Sequence, residues 1–264
     1  AYLPAADLQT IKRGPRAALN IVRRKKWALA MEQRFGTPFL HVADMQEWHG
    51  IEGISDLYRQ IGKMLGCEDA VEHVLQEEYE RVAARYQELR AEFAKYKFCL
   101  IAHGIAYLPD ALRVYQQDYG LPIEKICIIM NPSYQAETGL DDAMMQRFKD
   151  RIELAKAEYG CEAQVLLEPS EEALREAAQS CDFVICNGHP RYASLNVPVL
   201  YNLFDRSVWN YQGFVDIMEE VWQMLQQPQR TGSSLLLSKL AYDPVFYPMR
   251  EADKDSKASR ELYS

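Results

Sequence analysis

Short apolar runs alternate with longer segments in which apolar residues recur every three or four positions, and this alternation predicts strands followed by helices along most of the chain. Ala17–Val22 reads as a strand and Trp27–Arg34 as a helix stopped by Gly36. Pro38–Val42 reads as a second strand, and Ser55–Leu65 as a helix stopped by Gly66. Between the last two lies a predicted loop, Ala43–Gly53, holding His49, and near the start Asp7 is placed to cap a short helix, Leu8–Arg13. From Asp69 to Lys97 the spacing predicts one long helix, with Val71, Val74, Leu75, Tyr79, Val82, Tyr86, Leu89 and Phe93 on its apolar face and Glu and Arg on the other. Strands at Phe98–Ala102, Lys125–Met130, Ala163–Leu167, Phe183–Cys186 and Val197–Tyr201 then alternate with helices at Pro109–Tyr119, 141–159 and 171–179, the last capped by Ser170. A closing helix runs from Phe214 to Leu225.

Strands that alternate with helices at this spacing pair in parallel through right-handed crossovers. The chain is therefore expected to be an α/β protein with Rossmann-like parallel sheets in two lobes, the first incomplete, joined by a long helix. The expected division is a partial lobe at 1–68, a connecting helix at 69–97, a second lobe at 98–226 and a tail at 227–264. In such sheets ligands sit beyond the carboxyl ends of the strands. Two loops leave equivalent strand ends here: His103-Gly104 after the first strand of the second lobe, and Asn187-Gly188-His189-Pro190-Arg191-Tyr192 after Phe183–Cys186. Gly104 and Gly188 permit close backbone approach, and His103 and His189 can donate, accept or ligate. The candidate ligand-binding residues are thus His103, Gly104, Asn187, Gly188, His189 and Arg191.

Composition narrows the possibilities. At 264 residues the chain can bury a core without disulfides, and its net charge of −8 argues against a nucleic-acid surface. No apolar run approaches the roughly 20 residues of a bilayer helix, and no secretory signal is visible, which points to the cytoplasm. Six cysteines without a CxxC pair fit a reducing compartment. Cys99, Cys127 and Cys186 fall inside apolar strand runs, whereas Cys67 and Cys161 follow glycines at helix ends and are expected to be exposed. Arg23-Arg24-Lys25-Lys26 forms a basic cluster suited to a solvated face or an inter-subunit contact. The sequence carries no Ser-His-Asp order, GxxxxGK[ST] loop or HExxH.

Two stretches resemble one family. In the first, Asp7, Leu8 and Ile11 are followed by Ala18 and Asn20, then by Phe35, Gly36 and Pro38, and then by Gly50-Ile51-Glu52-Gly53 and Leu65-Gly66. The second is the strand ending at Asn187-Gly188, with its positively charged residue, the Val197-Pro198 strand and the Tyr211-Gln212-Gly213-Phe214 element. Together they are similar to the large-subunit family of nitrogenase component 1, which includes the molybdenum-iron protein subunits, their cofactor-assembly scaffolds and dark-operative protochlorophyllide reductase. The resemblance implies two Rossmann-like lobes and a place in redox or cofactor-assembly chemistry. Family subunits carry cysteines for a bridging iron-sulfur cluster in an N-terminal domain with no counterpart in this sequence. Where the family presents a cofactor-ligating Cys, this chain reads Leu19-Asn20-Ile21, and where a ligating His precedes Ser-Trp-Asp it has Asn202 before Leu203-Phe204-Asp205. The family's Gly-Gly-Leu-Arg clamp is replaced by His103-Gly104-Ile105-Ala106.

The expectation is a nitrogenase-component-1-like redox-complex or metallocofactor-assembly subunit without its own catalytic cofactor ligands. The alternatives are a small-molecule binding module and a structural partner subunit with a two-lobed cleft. No metal ligands are assigned, and an iron-sulfur cluster would form only at a subunit interface. The apolar tail Leu235–Tyr247 and the incomplete first lobe point to a homodimer or a complex with a related subunit.

Overall fold

The computed structural model describes residues 12–42, 47–103, 108–129, 142–186, 192, 195–201 and 208–226. The expected helix Leu8–Arg13 therefore lies almost wholly outside the described residues, and the apolar tail lies entirely outside them. The chain divides into two units, Ala1–Arg90 with Phe204–Glu220, and Ala91–Leu203 with Val221–Ser264.

In the first unit, a 3-10 turn at Gly14–Arg16 leads into β1 (Asn20–Val22), α1 (Lys25–Phe35) and β2 (Phe39–His41). β1 and β2 pair in parallel with Ile21 opposite Leu40, forming a two-stranded sheet among the described residues. α2 (Gly50–Leu65) and α3 (Glu68–Phe93) follow. Leu40, Val42, Trp48 and Leu57 make the core beneath the sheet, with Leu19, Ile61 and Trp209 packed on it.

α2 begins at Gly50 rather than at the expected Ser55, so the predicted loop residues Gly50–Gly53 are its first turn. Gly53 is buried, and a Cβ there would stand 2.7 Å from the carbonyl oxygen of Glu47 and 2.7 Å from the carbonyl carbon of Trp48. Only the bare glycine lets the helix start pass this close to the preceding backbone. Ser55 is buried one turn later. Its hydroxyl donates to the Ile51 carbonyl at 2.6 Å and accepts from the Tyr211 hydroxyl at 2.7 Å. On α3 the buried positions are Leu75, Val82, Tyr86, Leu89 and Phe93, a seven-four-three-four spacing that keeps them on one side. Val74 was expected on this stripe but is exposed, because it sits a single 100° step from Leu75.

The closing helix, α7 (Tyr211–Gln226), starts three residues before the expected Phe214. The Asn210 side-chain oxygen accepts the Gly213 N–H at 2.7 Å, an N-terminal cap that starts the helix early. Arg85 of α3 grips Glu219 of α7 with a two-pronged contact, Nη2 to Oε2 at 2.8 Å and Nε to Oε1, and also reaches Glu88 at 2.8 Å. The Arg85 guanidinium holds the Glu219 carboxyl below its ordinary range.

The second unit is built on five parallel strands: β3 (Phe98–His103), β4 (Ile123–Ile129), β5 (Gln164–Leu167), β6 (Phe183–Cys186) and β7 (Val199–Tyr201). Their spatial order is β5-β4-β3-β6-β7, all parallel, as the strand-helix alternation predicts. Both sheet faces are buried, which is why the strands read as continuous apolar runs. Cys99, Ile101, Cys127, Val184 and Cys186 line one face beneath Leu174, Ala177 and Ala178 of α6 (Glu171–Gln179). α6 is capped as expected, the Ala173 N–H donating to Ser170 Oγ at 3.2 Å. The amino ends of β3 and β6 are locked together. The Lys97 N–H donates to the Asp182 carboxylate at 2.8 Å and the Asp182 N–H donates to the Lys97 carbonyl at 2.9 Å. In the next register pair the rings of Phe98 and Phe183 stack at 5.7 Å.

Between β3 and β4 the expected single helix is instead α4 (Leu108–Leu112) running into a π-helical segment, Arg113–Asp118. Wider i→i−5 bonding, such as the Tyr119 N–H to the Val114 carbonyl at 2.9 Å, brings residues five apart to the same side. The buried Arg113 thus reaches the buried Asp118 at 3.2 Å. α5 (Asp142–Glu158) ends the next crossover. Cys161, expected to be exposed, is buried because Gly160 adopts a left-handed conformation at φ 60° and turns the chain inward, with the Cys161 N–H donating to the Lys156 carbonyl at 2.8 Å.

Two tests follow from this packing. Gly53→Ala should lower stability by about 1–3 kcal/mol, since its Cβ meets rigid backbone. A urea midpoint unchanged from wild type would disprove the close approach. Glu219→Gln should lower stability by less than about 1 kcal/mol at neutral pH, because the pair is partly exposed. Glu219 has a depressed folded-state pKa, so its contribution is fully present above the ordinary carboxylate value and is lost as pH falls from there through the lower folded-state value. The gap between wild type and variant should close on acidification below about pH 4.5, and a gap independent of pH would exclude the ion pair as its source.

Candidate site at the sheet switch point

The second unit's chain runs outward from β3 through β4 to β5, then returns across the sheet to place β6 on the other side of β3. β3 and β6 are therefore neighbours whose connections depart in opposite directions. Beyond their carboxyl ends lies the topological switch point, the place where a doubly wound sheet leaves room for a ligand.

His103 is the last residue of β3 and stands at this edge. Ile101 pairs with Cys186, the last residue of β6, so His103 projects one strand repeat beyond the paired ends. Its Nε2 lies 2.7 Å from the hydroxyl of Tyr192, and the two rings are 5.9 Å apart at a tilt of 56°. Tyr192 is fully buried while His103 is exposed, so the phenol anchors the imidazole from below. One of the two atoms carries the shared proton, and the pair can position a polar ligand or relay a proton at the sheet edge. The other candidate residues, Gly104, Asn187, Gly188, His189 and Arg191, lie outside the described residues. Tyr192 is the partner that sequence reasoning did not single out. Its signal was its place in the loop directly after β6.

At β5, on the same carboxyl edge, Glu168 has φ 49°, a left-handed conformation uncommon outside glycine. Its N–H donates to the Ile128 carbonyl at 2.9 Å.

Beneath the edge, four cysteines share one apolar core: Cys99, Cys127, Cys181 and Cys186. The sulfurs of Cys99 and Cys127 are 4.0 Å apart. The hydrogen bond to Cys127 and burial push the Cys99 thiol far up, burial raises Cys181, and burial alone raises Cys186 to about 12. Cys99, Cys181 and Cys186 are thereby held in the protonated form, while the hydrogen bond with Cys99 lowers Cys127. No group of three or more His, Cys, Asp or Glu side chains is placed to hold a metal among the described residues. On the first unit a shallow depression is lined by Glu47, Trp48, Asp56, Arg59, Gln60 and Lys63, and there Arg59 is already engaged by Glu72 at 2.7 Å. Among the described residues no helix is long and apolar enough to cross a membrane.

The fold and this edge define a doubly wound α/β protein with parallel sheets in two units. The family described as Nitrogenase component 1 type Oxidoreductase matches residues 1–226, and the chain belongs to that family. A solved structure titled "Nitrogenase Cp1 at pH 5" is similar at 13% identity with a TM-score of 0.51, covering 84% of this chain and 50% of that one. A second, "Nitrogenase Cp1 at pH 6.5", matches at 13% identity and a TM-score of 0.49, covering 84% and 52%. The chain thus spans about half the length of the solved structures it matches. No curated protein matches it.

The His103–Tyr192 contact is testable by a double-mutant cycle. Tyr192→Phe keeps the ring and removes the hydroxyl, and with His103→Ala it should reveal a coupling of about 1 kcal/mol in urea unfolding. Strict additivity of the two substitutions would mean that the contact adds nothing.

Proposed function

We propose that this protein is a subunit of a nitrogenase-component-1-type redox complex, or of the machinery that assembles its metallocofactor, and that it works beside a partner subunit without cofactor ligands of its own. The cysteines carry the reading. Iron-sulfur chemistry requires thiolate ligands, and Cys99, Cys127, Cys161, Cys181 and Cys186 are buried, with burial working against the charged form at Cys99, Cys161, Cys181 and Cys186. Cys67, between α2 and α3, is the exposed cysteine. One thiol supplies one ligand, so a cluster at Cys67 would need the remainder from another subunit. A homodimer or a related component-1-like chain would provide them. Six free thiols also suit a reducing cytoplasm.

A second reading rests on the switch point. The anchored His103, together with Gly104, Asn187, Gly188, His189 and Arg191 on the two loops expected to meet there, suits a small polar ligand. In this reading the chain is a binding module of the same family.

Protein purified without oxygen and analysed for iron separates these readings from a catalytic subunit. The chain alone should contain substoichiometric iron and show no visible-range absorption band. A full cluster on the isolated monomer would overturn the ligand-free reading. Light scattering should give a mass above the 30.5 kDa of one chain, and a strict monomer at micromolar concentration would argue against the partner. For the binding module, ferrous iron titrated by calorimetry against wild type and a His103→Ala/His189→Ala variant should bind only the former, and equal binding would move the site elsewhere.

A further inference from the structure

Lys12 to Arg34 carries eight cations, Lys12, Arg13, Arg16, Arg23, Arg24, Lys25, Lys26 and Arg34, and a single acid, Glu32. That is a net +7 inside a chain whose total is −8, leaving −15 for the remainder. All eight cations are exposed. The same run carries an apolar anchor. Trp27 is 75% exposed on α1, although tryptophan is buried on average. Met31, one turn on, is half-buried, and Arg34 comes back to the same side after two turns. Phe35 is 51% exposed with the Arg34 guanidinium 5.3 Å above its ring. Tryptophan and arginine together, within a run rich in further cations, are the composition of a binding hot spot.

We propose that this basic face of α1, centred on Trp27, docks an acidic partner protein. The inference is independent of the switch-point site and of the cofactor reading. Charge decides the occupant. Residues 1–11 contain one acid, Asp7, and residues 227–264 contain five acids against six cations, so neither stretch carries the negative charge that the face calls for. A second copy meeting it through the same face would set cation against cation. A long nucleic acid would extend past the face toward the −15 carried elsewhere, and repulsion there opposes it. A compact acidic surface with an apolar socket for Trp27 meets neither obstacle.

The test is fluorescence anisotropy with a labelled peptide of alternating Glu and Leu pairs. Comparison probes are the same peptide with Lys for Glu, a labelled oligothymidylate of equal length, and vesicles containing phosphatidylserine. The acidic peptide should bind, and salt should weaken it. Arg24→Glu/Arg34→Glu and Trp27→Ala should each raise its Kd about tenfold, the latter because the anchor and not charge alone holds the partner. Trp27→Phe should recover most of the affinity. Because these side chains are exposed, circular dichroism should show each variant folded. Loss of binding in the charge variant with none in Trp27→Ala would overturn the docking surface in favour of plain charge attraction. Absence of peptide binding would overturn it outright, and tighter binding of oligothymidylate or vesicles would assign the face to a different polyanion.

Discussion

The clamp at the amino ends of β3 and β6 governs the geometry of the second unit. Parallel strands have no hairpin to set their register, so something else must fix how far each strand runs before it ends. Here the Asp182 backbone and carboxylate hold both hydrogen-bonding groups of Lys97, and the stacked Phe98 and Phe183 rings fix the first pair of the ladder. Slipping by one residue would turn every side chain to the opposite face and undo the packing fitted to each. With the starts aligned, the ends are aligned as well. His103 and Cys186 come to rest at the same edge because Lys97 and Asp182 were joined at the other.

That constraint also explains what makes this edge different from the rest of the sheet. From β3 to β4 and from β4 to β5 the chain steps outward in one direction, and from β5 it crosses back to β6. Among the described strands β3 and β6 are the neighbours whose onward connections leave in opposite directions. The exposed imidazole of His103, held by a buried phenol, stands at that reversal. A polar side chain fixed from beneath by a rigid partner loses little freedom when a ligand arrives, which is the advantage of a preorganised site.

Periodic segments were legible in the sequence. The five strands of the second unit, α6 with its Ser170 cap and the stripe of α3 follow from local spacing, because strand and helix periods differ and flanking Gly or Pro marks their ends. What was hidden depends on distant residues. Gly50–Gly53 read as a loop because glycine is a poor helix former, and the packing against Glu47 and Trp48 that demands glycine at 53 appears only in three dimensions. The π-helical turn depends on a buried pairing of Arg113 with Asp118 that spacing does not announce. Cys161 resembled an exposed residue after a helix-ending glycine, and the turn at Gly160 carried it inward. At the switch point His103 was legible as a strand-end residue, while Tyr192 entered through a contact across 89 positions of sequence.

The sulfur-lined face of the second sheet has a consequence for the protein's chemistry over time. Cys99, Cys127, Cys181 and Cys186 lie beneath α6, away from oxidants and alkylating agents that act on accessible thiolates. Their modification must wait for the layer above to lift. The rate at which these thiols react is then a clock for local opening of the sheet's cover, read separately from global unfolding. The sulfurs of this core stay chemical bystanders for as long as that cover stays shut.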